Sequence, residues 1–250
     1  MLAYILPCAL LAPVGAVLLT LLAGRRFMEL LARPLSLVAT GLLITLAFTH
    51  LLPEAFEGEL SPHTTGLTAL ITVLTLMAVE MFFTSGGHGH GHTHAHTQGA
   101  FSSGGAGLIA GTALHTFCDG VLLTGAFMVD PGVGLGVTLA IFSHEVPQEI
   151  GDYAVLIELG LNRKQAFVIN LTAALSTLTG ALLSYLLFNT VSALLPLALA
   201  AAAASFIYVA LSDLLPRLKR SDGTLRMLKR LIFILAGVGL AIFLTHGHAH

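Results

Sequence analysis

Two short stretches of the sequence place ionisable side chains inside long apolar segments. The first reads His115-Thr-Phe-Cys-Asp119-Gly, and the second reads His144-Glu-Val-Pro-Gln-Glu-Ile-Gly-Asp152. Imidazole and carboxylate are the usual ligands of Zn²⁺ and related divalent ions. Polar groups are costly in apolar surroundings, so they persist where they pair, bind an ion or line a water-filled path. The two stretches therefore predict a metal site in an apolar environment.

Helical spacing brings these side chains onto common faces. In the first stretch the histidine and the aspartate stand four residues apart, so on a helix they share one face and can bind the same ion. In the second stretch His144 and Gln148 share a face by the same rule. A second stripe, rotated by about 100°, consists of Glu145, Glu149 and Asp152. One helix can therefore serve two neighbouring ion positions, or one ion position and a polar path.

Two other segments carry polar side chains with less specific spacing. His50 stands four residues before Glu54, near the end of its apolar segment, and Asn170 belongs to a moderately polar face of a later segment. A single intramembrane histidine can instead form a hydrogen-bonded contact between helices, and groups near a helix end are hydrated at little cost. Both readings stay open from the residues alone.

The composition indicates a membrane protein. Of 250 residues, 56% are hydrophobic and only 10% are charged, whereas soluble domains carry about 25% charged residues. Eight apolar segments approach the roughly 20 residues that a bilayer span requires. They cover residues 2–23, 35–57, 64–84, 106–129, 132–158, 165–188, 192–215 and 228–245. The predicted fold class is all-α, a polytopic bundle of eight transmembrane helices in a lipid bilayer. No basic aromatic patch is present, which argues against nucleic acid as a partner.

The basic residues support this count and give an orientation. All eleven Lys and Arg residues fall in the connections between spans 1 and 2, 5 and 6, and 7 and 8, or within the first residues of span 8. With eight spans, these three connections lie on one side of the membrane. The positive-inside rule makes that side cytoplasmic and predicts that both termini are extracytoplasmic. The connection between spans 3 and 4, at about residues 85–105, lies on the same side. It is a flexible His-rich loop, suited either to loose metal binding or to a polar linker.

These motifs resemble those of the ZIP transporters, the zinc-regulated and iron-regulated transporter-like proteins, over essentially the whole chain. The first stretch is similar to the family's His-Asn-x-x-Asp-Gly, and the second to its His-Glu-x-Pro-x-Glu-x-Gly-Asp form. His50-Leu-Leu-Pro and Tyr208-Val-Ala-Leu-x-Asp213-x-x-Pro216 also fit one subfamily. Four motifs in order, at the right helix numbers, are specific evidence.

The resemblance implies a single transmembrane metal-transport domain over residues 1–250 that is not an enzyme. It would move Zn²⁺ into the cytoplasm, with Fe²⁺, Mn²⁺ and Cd²⁺ as alternative substrates of the same site. A plasma or inner membrane of a prokaryote and a homodimer are further expectations. Two residues depart from the family motifs: Thr116 stands in place of the usual Asn, and Gln148 stands in place of His or Glu. Both departures bear on the number of ions that the site can hold. With the polar positions noted above, the candidate metal residues are His50, His115, Asp119, His144, Glu145, Gln148, Glu149 and Asn170.

The main alternative is a membrane-embedded zinc-dependent hydrolase. Such an enzyme needs fixed ligands and a metal-activated water. The second stretch lacks the second histidine of the His-Glu-x-x-His protease motif, which argues against proteolysis but not against lipid hydrolysis. A metal exporter of another fold and a metal sensor that does not transport are also compatible with the His-rich loop. Fast metal exchange and flux into vesicles would favour transport.

Overall fold

A computed structural model describes residues 1–22, 25–85, 106–191, 193–218 and 224–246, and this part of the chain contains helices and no strands. The helices are α1 (Leu2–Leu22), α2 (Arg25–Leu46), α3 (Leu52–Glu57), α4 (Pro62–Ser85), α5 (Ala106–Val129), α6 (Pro131–Glu158), α7 (Arg163–Ala174), α8 (Ser176–Thr190), α9 (Leu194–Leu218) and α10 (Thr224–His246). A π-helical turn joins α2 to α3. The all-α prediction is confirmed, and the His-rich loop lies outside the described residues.

Six helical stretches of the described chain are long and apolar enough to cross a membrane. They are Leu2–Thr20, Pro34–Glu57, Ile109–Val129, Arg163–Thr190, Leu194–Ser212 and Met227–His246. Predicted span 3 corresponds to α4, which is apolar over the shorter stretch Pro62–Ala78. Predicted span 5 corresponds to α6, a continuous helix of 28 residues whose apolar sequence is interrupted by the polar stretch. The chain is therefore a polytopic helical membrane protein, as predicted.

Two predicted boundaries differ from the structure. Span 2 was expected to begin at residue 35, but α2 begins at Arg25 and continues through Pro34. Its first ten residues include charged side chains that favour helix but are not apolar, so hydropathy does not mark the true start. Span 6 is divided at Leu175 into α7 and α8. Neither Gly nor Pro stands at that position, so the sequence gives no signal for the break.

Helices α4 and α10 present large apolar side chains outward. In α10, Leu231, Ile232, Leu235 and Phe243 are exposed, the last at 77% of its surface. Contiguous exposed apolar surface of this kind is unfavourable in water. It is the expected surface of a helix that faces lipid acyl chains.

Helices α5 and α8 cross at very close range through two glycines. A Cβ atom built on Gly120 of α5 would overlap the carbonyl oxygen of Thr177, and one built on Gly180 of α8 would overlap that of Phe117. Small residues at a crossing allow such backbone contact between membrane helices. Only glycine fits at either position without moving one helix.

Two threonines of α5 donate hydrogen bonds to the neighbouring helices, one to α7 and one to α8. The hydroxyl of Thr116 donates to the carbonyl oxygen of Ala173 at 2.8 Å, and the hydroxyl of Thr124 donates to that of Ala181 at 3.2 Å. Thr116 and Thr124 are eight residues apart, as are Ala173 and Ala181. The two bonds therefore lie about two helical turns apart, one on either side of Gly120. Such interhelical hydrogen bonds fix the register of α5 on its neighbours.

Helix α6 packs against α1, α2, α5, α7 and α10 and is defined at both ends. Asp130 caps its start by accepting hydrogen bonds from the backbone N–H groups of Gly132 and Val133. Beyond its end, Gly160 adopts φ +90°, and Leu161 N–H returns to the carbonyl oxygen of Leu156 at 3.2 Å. This is the helix-ending arrangement that glycine favours. The polar stretch in the middle of α6 is consequently held against α5.

Candidate metal site

Four of the predicted residues meet between α5 and α6. His115 and Asp119 come from α5, and His144 and Glu145 come from α6. One potential ligand atom from each side chain lies within 4.8 Å of the other three. The four-residue spacing on α5 places its two ligands on one face, and two consecutive residues of α6 complete the group.

The interatomic distances are those of a site for a small tetrahedral cation. His144 Nε2 lies 3.3 Å from Asp119 Oδ2 and 4.0 Å from Glu145 Oε1. His115 Nε2 lies 3.8 Å from Asp119 Oδ2 and 3.9 Å from Glu145 Oε1. Neighbouring ligands around tetrahedral Zn²⁺ are about 3.3–3.5 Å apart, since each bond is about 2.0–2.2 Å long. Three of these four distances exceed the tetrahedral spacing by about half an ångström, and the whole group spans no more than 4.8 Å, so the side chains have to move inward to close on a zinc ion.

The ring of His144 is oriented for metal binding by its own helix. Its Nδ1 lies 2.9 Å from the carbonyl oxygen of Ala140. A carbonyl oxygen accepts only, so Nδ1 carries the proton, and the lone pair of the neutral ring is on Nε2. That nitrogen is the atom directed at Asp119 and Glu145. Fixing the tautomer by a backbone carbonyl is a common supporting contact of metal-binding histidines.

Because the carboxylates of this site are buried, a cation or a proton has to compensate their negative charge. The Glu145 side chain is completely buried, and neither of its oxygens accepts a hydrogen bond within the described part of the chain. Asp119 is 4% exposed at its side chain and lies in the same group. Leaving a buried polar group unsatisfied costs about 1–3 kcal/mol, and more for a charged group. A divalent cation between the two carboxylates would remove that cost. The side chain of His115 is 33% exposed, more than those of the other three, but its Nε2 is buried.

The remaining candidate residues are not part of the four-ligand group. Glu149 is one turn after Glu145 and is completely buried, with its Oε2 2.6 Å from the amide nitrogen of Asn170. Gln148 is half-buried one turn after His144. His50 lies in the π-helical turn, where its Nδ1 is 2.7 Å from the Thr49 hydroxyl. Direct metal ligation by any of these residues stays a prediction.

Two side chains next to the site face elsewhere. Thr116, which follows His115, is completely buried and bonds to α7 through its hydroxyl. It therefore acts as a contact between helices in this arrangement. Cys118 precedes Asp119 and is exposed.

Sequence reasoning missed one polar partner. The hydroxyl of Thr112 on α5 donates to Asp152 Oδ2 on α6 at 2.8 Å. Thr112 stands three residues before His115, so helical spacing would have placed it on the adjoining face.

The chain is similar in sequence to known zinc transporters. Residues 84–245 match the family model described as ZIP zinc transporter. Zinc transporter ZIP13 of Pongo abelii is 30% identical over 225 residues, covering 83% of this chain and 65% of the relative. Human zinc transporter ZIP4 is 39% identical over 131 residues (52% of this chain), and human zinc transporter ZIP10 is 36% identical over 116 residues (46%). The chain spans 20% of that ZIP4 and 14% of that ZIP10.

The matched region contains α5, α6 and α7, which supply the site and its surroundings. A family model that covers residues 84–245 includes every candidate metal residue except His50. Together with the helical membrane fold, this match establishes that the chain belongs to the ZIP zinc transporter family.

Proposed function

We propose that this protein carries Zn²⁺ across a membrane into the cytoplasm through the group of His115, Asp119, His144 and Glu145. The observation that carries the proposal is the convergence of these four ligands, within 4.8 Å of one another, between two helices of an apolar bundle. Two imidazoles and two carboxylates suit Zn²⁺, and their spacing suits its short bonds. The ion is the substrate of this site, and it must leave as readily as it enters.

The proposed transport cycle uses the accessible side of the group. Zn²⁺ exchanges its waters for the ligands one at a time, beginning or ending at His115, whose side chain is the most exposed of the four although its Nε2 is buried. Binding has to be weak enough for release, as in other conduction pathways. A change in access then requires one group of helices to move against another around the site. The close contacts at Gly120 and Gly180 favour α5 and α8 moving together.

The same site would accept related ions, with Fe²⁺, Mn²⁺ and Cd²⁺ as the alternative substrates. Two departures from the family motifs favour one ion over two. The hydroxyl of Thr116 is bonded to Ala173 and is directed away from the four ligands. Gln148 offers an amide where a charged or imidazole ligand would bind more strongly. We propose that one ion occupies the four-ligand group at a time.

The remaining features of the proposal follow from the sequence. A single transmembrane transport domain over residues 1–250 would have both termini outside the cytoplasm. The His-rich loop would then meet ions that emerge inside. A prokaryotic plasma or inner membrane and a homodimer are further parts of the proposal, although Ala200, Ala202 and Ala203 of α9 pack inside this chain and give no support to a dimer.

A zinc-dependent hydrolase is the less favoured function. ZIP13, ZIP4 and ZIP10 are all named zinc transporters, and a hydrolase would have to retain its metal. Exchange of bound zinc distinguishes the two functions. Exchange with free isotope within seconds supports transport, whereas stoichiometric zinc that survives extended dialysis supports a hydrolase.

Uptake by proteoliposomes tests the proposal directly. The purified protein is placed in vesicles that enclose a zinc-sensitive dye, and the wild type is compared with His115→Ala and Glu145→Ala. Saturable uptake that both variants lose supports the proposal. Matched controls are His63→Ala and Glu158→Gln, because both residues are exposed and lie far along the chain from the four ligands. Absence of uptake by folded wild-type protein that binds zinc, or equal loss in the controls, would contradict it.

A further inference from the structure

We propose that the end of α6 and the start of α7 form a groove that binds one anionic phospholipid. The headgroup of this lipid binds Lys164 and Gln165, and one acyl chain lies against Leu161 and Val168. The inference depends on the membrane fold and on the proposed orientation, but not on zinc transport. It assigns a ligand to a part of the surface that the metal site does not use.

The groove lies where the chain turns from α6 into α7. Its volume is about 620 Å³, which falls within the range of about 300–1,000 Å³ that small-molecule sites occupy. Gly160 forms part of its wall at φ +90°, and a Cβ atom built there would meet nothing within 4 Å. The turn is therefore made beside open space and does not fill it with a side chain. The apolar lining residues are Leu159, Leu161, Val168 and Ile169, and the polar ones are Lys164 and Gln165.

The face of α7 that lines the groove changes from cationic to apolar along the helix. Lys164 and Val168 are four residues apart, as are Gln165 and Ile169, so each pair shares one side of the helix. The polar residues stand in the first turn, and the apolar residues lie about 6 Å further along the axis. Val168 is 49% exposed although it is apolar. A phospholipid presents its groups in the same order, with the charged headgroup followed by the acyl chains.

The polar side chains at the start of α7 are available to an anion. Lys164 and the preceding Arg163 are exposed, and neither forms an ion pair with Glu158 or any other residue that the structure describes. The side-chain oxygen of Gln165 accepts a hydrogen bond from the backbone N–H of Asn162 at 3.0 Å. Its amide nitrogen donates to none of the described residues, so it remains a free donor. Two cations and one amide donor can therefore contact a phosphate group.

The position of the groove favours a lipid over a soluble anion. The connection that contains Arg163 belongs to the side of the membrane that carries the basic residues, which is cytoplasmic in the proposed orientation. Anionic phospholipids of the cytoplasmic leaflet are attracted to basic side chains at this depth, and basic pockets between membrane helices bind their headgroups. A soluble phosphate would contact only the polar end of the groove and leave the apolar wall at Val168 uncovered.

A lipid in the groove contacts two helices that surround the metal site. Helix α6 supplies His144 and Glu145 to the four-ligand group, and α7 accepts the hydrogen bond of Thr116. A molecule bound to both helix ends stabilises the arrangement in which they meet, because it binds the folded protein and not the unfolded chain. We therefore expect the lipid to raise the stability of the bundle.

Native mass spectrometry of the full-length protein tests the cationic end of the groove. Delipidated protein in detergent is titrated with dioleoylphosphatidylglycerol and, separately, with dioleoylphosphatidylcholine. We expect one phosphatidylglycerol to be retained in preference to phosphatidylcholine. Lys164→Gln should weaken this binding about fivefold through loss of one positive charge, whereas Lys164→Arg should keep it within about twofold. Lys229→Gln is the matched control, because Lys229 is an exposed basic residue outside the groove, near the start of α10.

Serine substitution tests the apolar wall. Val168→Ser should weaken phosphatidylglycerol binding about fourfold, the value of one buried CH₂ group. Val191→Ser is the control, since this valine is 45% exposed and lies after the end of α8, outside the groove. It should leave the affinity within about twofold.

Three results would overturn the groove as a phospholipid site. Equal weakening by Lys164→Gln and Lys229→Gln would show unspecific attraction to basic residues. Equal effects of Val168→Ser and Val191→Ser would show that the apolar wall contacts no acyl chain. Displacement of phosphatidylglycerol by inorganic phosphate would show a site for a soluble anion.

Thermal unfolding gives an independent measurement. All substituted side chains are exposed, so without lipid the midpoints should equal that of the wild type. Phosphatidylglycerol should raise the midpoint of the wild type and of Lys164→Arg more than that of Lys164→Gln. An equal rise in all three would overturn the proposal. Neither measurement requires zinc uptake, so the lipid site and the transport function are tested separately.

Discussion

The Glu145→Gln variant should gain stability without metal and lose stabilisation by zinc. In the structure this carboxylate is completely buried, neither oxygen accepts a hydrogen bond within the described residues, and Asp119 belongs to the same group. Without a cation, the two acids repel each other in surroundings of low polarity. Glutamine has almost the same shape and carries no charge, and its amide can donate to Asp119.

The size of the effect follows from these contacts. An unsatisfied buried polar group costs about 1–3 kcal/mol, so removing its charge and adding a donor should stabilise the metal-free protein by about that amount. For a chain of this length, each kcal/mol raises the thermal midpoint by about 2–4 °C. With zinc at 100 times the wild-type dissociation constant, binding stabilises the wild type by about 2.7 kcal/mol. If the variant binds about 100-fold more weakly, that gain falls to about 0.4 kcal/mol.

Thermal unfolding in detergent measures both effects: the stability without metal is measured in a chelator, and the stabilisation by zinc is measured after zinc is added. The midpoint of Glu145→Gln should lie above that of the wild type in chelator, and its rise on addition of zinc should be much smaller. Glu158→Gln is the control and should follow the wild type in both conditions. A lower midpoint for Glu145→Gln in chelator would refute the view that this carboxylate is kept for metal binding at a cost in stability. A full zinc response in the variant would refute its role as a ligand.

Two further predictions concern the contacts that position the site. Gly120→Ala should destabilise the protein by about 1–3 kcal/mol, because its Cβ would lie only 2.7 Å from the Ala181 nitrogen as well as overlapping α8. Gly111→Ala on the same helix meets nothing within 4 Å and should be neutral or slightly stabilising, so similar thermal midpoints for the two would contradict the crossing. Thr116→Ala should cost about 1 kcal/mol through loss of the bond to Ala173 and leave the zinc dissociation constant, measured by titration calorimetry, within about twofold. A tenfold weaker affinity would instead make Thr116 a ligand.

Much of the fold could be predicted because the membrane imposes simple rules. Uninterrupted apolar segments of bilayer length have to be helical, since their backbone groups find no water to bond with. The predicted span over residues 106–129 coincides with α5, and the span over residues 132–158 differs from α6 by one residue. The boundaries failed where the structure does not follow hydropathy. Helix α2 extends through charged residues to Arg25, and no local residue signals the break at Leu175.

The ligands within each helix could be predicted, but their combination across helices could not. The spacing of His115 and Asp119 places them on one face of any helix. The sequence does not contain the relative depth and rotation of α5 and α6, which decide that Glu145 joins them while Glu149 turns to Asn170.

The sequence by itself therefore determined the class of protein, the helices and the two polar stretches, because hydropathy and helical periodicity are local properties of the chain. The tertiary structure alone decided which side chains share an ion and which fasten the helices together. Thr116 shows the difference most clearly, since it occupies a position of the metal motif and yet bonds to α7. Contacts between helices depend on register and close approach, such as that at Gly120, and these are set by the packing of the whole bundle.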